Sequence, residues 1–280
     1  MTAQADTPRL PVADSPRALP VADAPRALPV AERSPLRALV RASRRDLALA
    51  CTVVVWVGVV LPLDNAGTGR QLWLGAVTAG LLIALLWREN GTTRAQVIVV
   101  VAFATAIEYT FSSGLGVYTY RLHQVPVYVP PGHGLVYLAA LALGRSPLLI
   151  AGRRWVIPGT ITVAGSYAAW GLFVSSRPDL LGFLWFCCLA LWMRRSPAPL
   201  VFVGAFFVVT YLELLGTALG TWTWSLHDPT GLVAIGNPPS GAAGGYGFFD
   251  AAALFAAPWI TARVRSVRRA RRSAAGRSLQ

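Results

Sequence analysis

The chain has 280 residues, of which 55% are hydrophobic and 13% charged, with a mean hydropathy of +0.53. A soluble domain carries about a quarter charged residues, so a soluble single-core fold does not fit this composition. The net charge of +13 comes from arginine without any lysine. It gathers beside apolar runs, which points to membrane topology and away from a nucleic-acid partner.

Residues 1–45 show no hydrophobic periodicity. They repeat a short Pro-Arg-Ala-Leu-Pro-Val-Ala-acid unit ending at Asp14, Asp23 and Glu32, the first copy lacking the alanine after its arginine. Proline at that density opposes helix and sheet, so a disordered cytoplasmic tail is expected. The first apolar run begins only after residue 45, too late for a signal peptide.

Eight apolar stretches follow, at 47–63, 71–87, 95–114, 134–150, 155–175, 179–193, 198–220 and 243–261. They lack the alternation of a membrane barrel. In hydrocarbon each must bond its own backbone, so they are expected to be helices. The predicted fold is an all-α polytopic membrane protein with about eight transmembrane helices in two parallel four-helix repeats, 46–150 and 151–262. A basic cytoplasmic tail, 263–280, follows. Cys51, Cys187 and Cys188 lie inside the apolar runs without CxxC spacing and read as packing residues.

Arginine alternates from connection to connection. One side collects Arg33, Arg37, Arg41, Arg44 and Arg45, then Arg88 and Arg94, then Arg145, Arg153 and Arg154, then Arg194 and Arg195, and lastly seven arginines after residue 262. The other side has Arg70, Arg121 and Arg177. The positive-inside rule places both termini in the cytoplasm of a multi-pass cell-membrane protein.

Two long outer connections resemble each other at an offset of about 105 residues. The first runs from Glu108 through Gly116-Val-Tyr118-Thr119-Tyr120-Arg121-Leu-His123 to Pro130-Pro131-Gly132-His133. The second runs from Glu213 through Gly220-Thr-Trp222-Thr223-Trp224-Ser-Leu-His227 to Asn237-Pro238-Pro239-Ser240. This correspondence is the basis for the expected duplication, and sites in duplicated membrane proteins tend to form where the repeats meet.

Carboxyl groups inside apolar spans are costly, so Glu108, Glu213 and Asp250 are the candidate catalytic acids, with His133 beside them. Each could instead serve an interhelical hydrogen bond. Tyr118, Tyr120, Trp222 and Trp224 are read as an aromatic wall for an apolar or cationic group, or alternatively as an interfacial belt. Arg121, His123, His227 and Asn237 complete the candidate substrate-binding set. Arg121 is suited to a phosphate or carboxylate, or to pairing with Glu108. The spacing of His123, His133, His227 and Asp228 matches no zinc pattern, so no metal is expected. No Walker loop, dinucleotide fingerprint or Gly-x-Ser-x-Gly elbow occurs, and no cofactor is expected.

The stretch Gly116–Pro126, and Gly220-Thr-Trp222-Thr-Trp224 followed by Gly236-Asn237-Pro238-Pro239, resembles the membrane-embedded carotenoid biosynthesis family that includes the carotenoid hydratases. The resemblance spans roughly residues 95–260. It implies an integral membrane enzyme that adds water across a terminal isoprenoid double bond. Acid-catalysed hydration or cyclisation of an isoprenoid or other lipid is therefore the leading expectation. Proton-coupled transport of a small molecule, and a non-catalytic scaffold that docks partners through its N-terminal tail, are the alternatives. Self-association stays open.

Overall fold

The structure, a computed structural model, describes residues 35–277. The proline-rich repeat before residue 35, with its expected disorder, lies outside the described residues. Eight helices follow in order: α1 (Pro35–Asn65), α2 (Gln71–Leu86), α3 (Gly91–Glu108), α4 (Val129–Arg145), α5 (Pro147–Phe173), α6 (Leu180–Arg195), α7 (Pro199–Ala218) and α8 (Ala242–Arg277). A π-helical turn, Tyr109–Gly114, prolongs α3. Two three-residue strands, β1 (Tyr118–Tyr120) and β2 (Trp222–Trp224), follow α3 and α7.

Each predicted apolar stretch overlaps a different helix, but the boundaries differ, and the stretch 134–150 runs across the end of α4 into α5. Among the described residues, four helices are long and apolar enough to cross a membrane: α1, α3 with its π turn, α5 and α7. Helix α1 begins at Pro35, so residues 35–45, assigned from sequence to the tail, are helical. They are rich in Arg, Ala and Leu, all good helix formers, and Pro35 suits a first helical position. Helix α8 likewise runs past the apolar stretch to Arg277. The junction of α4 and α5 falls at Ser146, which receives the Leu149 amide. Pro147 then opens α5, its missing N–H costing nothing in the first turn.

The core centres on α4, whose residues His133 to Ala140 are all buried. It packs most extensively on α7, while α3 packs on α8. Close approach demands glycine at these crossings. A Cβ on Gly204 of α7 would stand 2.6 Å from the Ala140 carbonyl of α4, and one on Gly244 of α8 would stand 1.9 Å from the Trp185 carbonyl of α6.

At one end of the bundle an ion network ties α1 to α4 and to the α2–α3 turn. Glu89 there is 6% exposed. Arg145 grips its carboxylate through two parallel bonds of 2.7 and 2.8 Å and also donates to Asp46 at 2.9 Å. Arg45 adds a third bond to Glu89 at 2.9 Å. The Arg145 hydrogen bonds hold the Glu89 carboxyl below the usual carboxylate range, against the opposing effect of burial. A carboxyl depressed in the fold contributes stability that is complete above its unfolded value, about 4.3, and is lost as pH falls through its folded value.

Thermal unfolding in detergent should therefore rank the partners. Arg145→Ala is expected to cost on the order of 3 kcal/mol, because it strips a buried carboxylate of its main partner. Arg45→Ala, at a residue 60% exposed, should cost under about 1 kcal/mol. The melting temperature should fall in acid below about pH 4.3, and Glu89→Gln should flatten that fall.

Candidate functional site

The two resembling loops meet. Gly116 and Gly220 hold equivalent places before their strands, and both are left-handed, with φ of +64° and +66°. That conformation is open to glycine at no steric penalty and turns each chain back over the bundle end. The strands then pair antiparallel, with Tyr118 opposite Trp224, Thr119 opposite Thr223 and Tyr120 opposite Trp222. Strand side chains alternate in direction. All four aromatics therefore share the buried face, 5–7% exposed, and both threonines face outward. The Tyr118 and Trp224 rings lie 4.6 Å apart, and Trp185 of α6 meets Trp224 edge-on at 5.8 Å.

Each ribbon strand serves the acid at the end of its own helix. Tyr118 and Tyr120 both donate to Glu108 Oε2 at 2.7 Å, and His133 Nε2 lies 2.8 Å from Oε1. Trp222 and Trp224 both donate to Glu213 Oε2, at 3.0 and 3.2 Å, while the Tyr246 hydroxyl of α8 reaches Oε1 at 3.4 Å. Burial first, and then the Glu108 charge, push the Tyr118 and Tyr120 phenols well above their ordinary value, so they remain protonated donors. The two settings differ chemically. An indole N–H only donates, whereas a phenol or an imidazole can also accept.

Glu108 and Glu213 line one cavity of about 380 Å³ beneath the ribbon. Tyr118, Tyr120, Trp222, Trp224 and His133 also line it, and the remaining walls are mostly aliphatic and aromatic. The two acids thus share one open space.

The other sequence candidates lie elsewhere. Asp250 is buried in a narrow gap adjoining the cavity, with Tyr137 and the far side of His133. Among the described residues, Asp250 Oδ2, the Tyr137 hydroxyl and His133 Nδ1 have no hydrogen-bond partner. Arg121 does not pair with Glu108. It donates to the Asp64 carbonyl and stands 3.6 Å from the Asp64 carboxylate. His123 and His227 are exposed and stand outside the cavity lining. Asn237 also stands outside it, but its side chain accepts the Trp224 amide at 2.9 Å and so fixes β2. Asp228 spends its oxygens on its own turn, at Thr230, Leu232 and Val233.

Sequence reasoning missed the anchors beneath the loops. Buried Asp64, at the end of α1, accepts from Gln71 and from Tyr128 of the loop after β1. Buried Asp179, capping α6, accepts the Gly182, Gly236 and Ser240 amides and the Ser240 hydroxyl, fixing the loop after β2. Arg177 donates to the Ile235, Trp224 and Ser225 carbonyls. A usable signal existed: Asp64 and Asp179 each abut an apolar run on the arginine-poor side. Tyr246 carried none, being one aromatic among several in a Gly-rich helix.

Compared with known proteins, the chain matches no family model, no curated protein and no solved structure.

Substitutions at two positions test the geometry. Glu213→Gln keeps an acceptor for the indoles and should fold nearly as well as the parent. Glu213→Leu orphans two buried N–H donors and should cost about 2–6 kcal/mol, at roughly 1–3 for each. Gly216→Ala should do comparable damage, since its Cβ would stand 2.0 Å from the Trp222 ring. Thermal unfolding and tryptophan emission report both.

Proposed function

We propose that this chain is an integral membrane enzyme that hydrates or cyclises an isoprenoid or similar lipid by acid catalysis, as its resemblance to the carotenoid hydratase family implies. The observation that carries this reading is the meeting of Glu108 and Glu213 in one aromatic, largely apolar cavity. The Glu108–His133 pair shares a short hydrogen bond and supplies the proton. That proton adds to one carbon of a C=C bond, and the π electrons leave the other carbon as a cation. The faces of Tyr118, Trp222 and Trp224 stabilise the cation. In hydration, water adds to the cation and gives its proton to a carboxylate. In cyclisation, a second double bond of the chain attacks, and loss of a C–H proton restores neutrality. Glu213 is the fitting acceptor. Its Oε2 is held by two donor-only indoles, so a proton settles on Oε1, whose one hydrogen bond among the described residues is the 3.4 Å one from Tyr246.

The topology is part of the same proposal: eight spans, two four-helix repeats and both termini in the cytoplasm. The alternating arginines support the orientation. The exchanged packing of α3 on α8 and α4 on α7, with matching acid–aromatic sets, supports the duplication.

One observation favours the transporter reading. Asp250 is a buried carboxyl with an unpaired oxygen beside the cavity, as a proton-coupling group would be. Transport would require pH-dependent substrate uptake by liposomes containing the protein.

Lipid extracts of cells with and without the gene, compared by mass spectrometry, should differ by a species gaining the mass of water or by an isomer. Glu108→Gln and Glu213→Gln should each lower that turnover by about 10²-fold or more while the protein stays folded. Full activity in both variants would end the acid mechanism.

A further inference from the structure

Which way the cavity opens, and what fits inside it, follow from its lining. Among the residues that line it, Phe103 and Phe248 are the exposed ones, at 38% and 45%. They lie on the flanks of α3 and α8. Phe103 is five residues before Glu108, so it sits roughly 7–8 Å further down the helix axis, away from the ribbon. The ribbon end is roofed by the four buried aromatics and by Tyr128, 3% exposed. Toward the opposite end the buried run of α4 fills the bundle, and Phe103 meets Phe249 edge-on at 5.4 Å.

The lining also limits the occupant. Among the described residues no arginine lines the cavity; its ionisable side chains are Glu108, Glu213, His133 and tyrosines. A phosphate headgroup would find no arginine and two carboxyl groups, with the lone imidazole of His133 already bonded to Glu108. A volume of about 380 Å³ lies near the small end of pockets that enclose a drug-sized ligand. A lipid chain reaching from the interface toward the centre of a hydrocarbon core about 30 Å thick is too long to be enclosed whole.

Building on the membrane-enzyme reading, we propose that the cavity is loaded sideways from the bilayer, between Phe103 and Phe248, by the neutral apolar end of a long hydrocarbon chain. That end lies against Glu108 and Glu213 while the body of the chain stays in lipid. Chemistry is then confined to the chain terminus, and the product leaves by the same window without crossing the membrane. Gly132 offers a means to block the site, because it lines the cavity and a Cβ there meets nothing within 4 Å.

The test uses the full chain in phosphatidylcholine vesicles and two photoreactive long-chain alkenes, one with a diazirine at the terminal carbon and one with it at mid-chain. Peptide mapping should place the terminal label near Glu108, His133, Tyr246 or the ribbon strands, and the mid-chain label at Phe103 and Phe248. Gly132→Phe should lose the terminal labelling and keep the mid-chain labelling. A reversed pattern, labels confined to the outward face of the ribbon, or terminal labelling unchanged in Gly132→Phe would overturn the proposal. If Gly132→Phe unfolds, the parent's labelling pattern decides alone, and Gly132→Leu replaces the variant. Labelling needs no turnover, so failure of the acid chemistry would show up separately as unchanged lipid extracts.

Discussion

A carboxylate inside an apolar bundle must keep its oxygens supplied with donors, since an isolated buried charge costs far more than marginal stability allows. Glu108 and Glu213 meet this condition through aromatic side chains that an antiparallel ribbon delivers from above. The ribbon depends on the acids in return. Phenol and indole donors on its inner face would be unsatisfied without them. The roof, the acids and the cavity therefore form one cooperative unit, and the same hydrogen bonds that stabilise the fold define the ribbon end of the cavity.

That unit is held from outside by a second tier of polar contacts. Asp64 and Asp179 pin the loops that follow β1 and β2. Arg121 and Arg177, two of the three arginines on the arginine-poor side, are spent on these loops, on Asp64 and on backbone carbonyls. Their presence there is thus explained by local structure. At the far end the Glu89–Arg145 network fastens α1 to α4. Tight glycine crossings at Gly204 and Gly244 leave little play between α7, which carries Glu213, and α4, and between α8 and α6. Elements packed this closely hold the side chains around the cavity in fixed positions.

Much of this was legible in the sequence because periodicity and hydropathy act locally. The apolar stretches each located a helix, and the paired Glu–aromatic motifs located the cavity. Helix ends were misjudged at Pro35 and Arg277, where charged but helix-favouring residues prolong the helix beyond the apolar run. The partners of Arg121 were not legible, because Asp64 is remote in sequence and only the fold of the loop brings them together. The same holds for Tyr246, whose hydroxyl reaches Glu213 from another helix. His123 and His227 looked equivalent to His133 by residue type. They differ because a left-handed turn at His123 and a loop bridge at His227 leave both exposed, while His133 faces inward from the first turns of α4.

The central claim is that the two motif copies pair with one another and so bring both acids to one cavity. Thr119 and Thr223 are direct partners on the outward face. Antiparallel partners have Cα atoms about 4.5–5.5 Å apart, within the span a disulfide bridges. With Cys51, Cys187 and Cys188 replaced by alanine, T119C/T223C should cross-link under mild oxidation, while a T119C/T230C control should not. Peptide mass spectrometry reads the linkage. A T119C/T223C pair that stays reduced in folded protein, or that cross-links no faster than the control, would contradict the account.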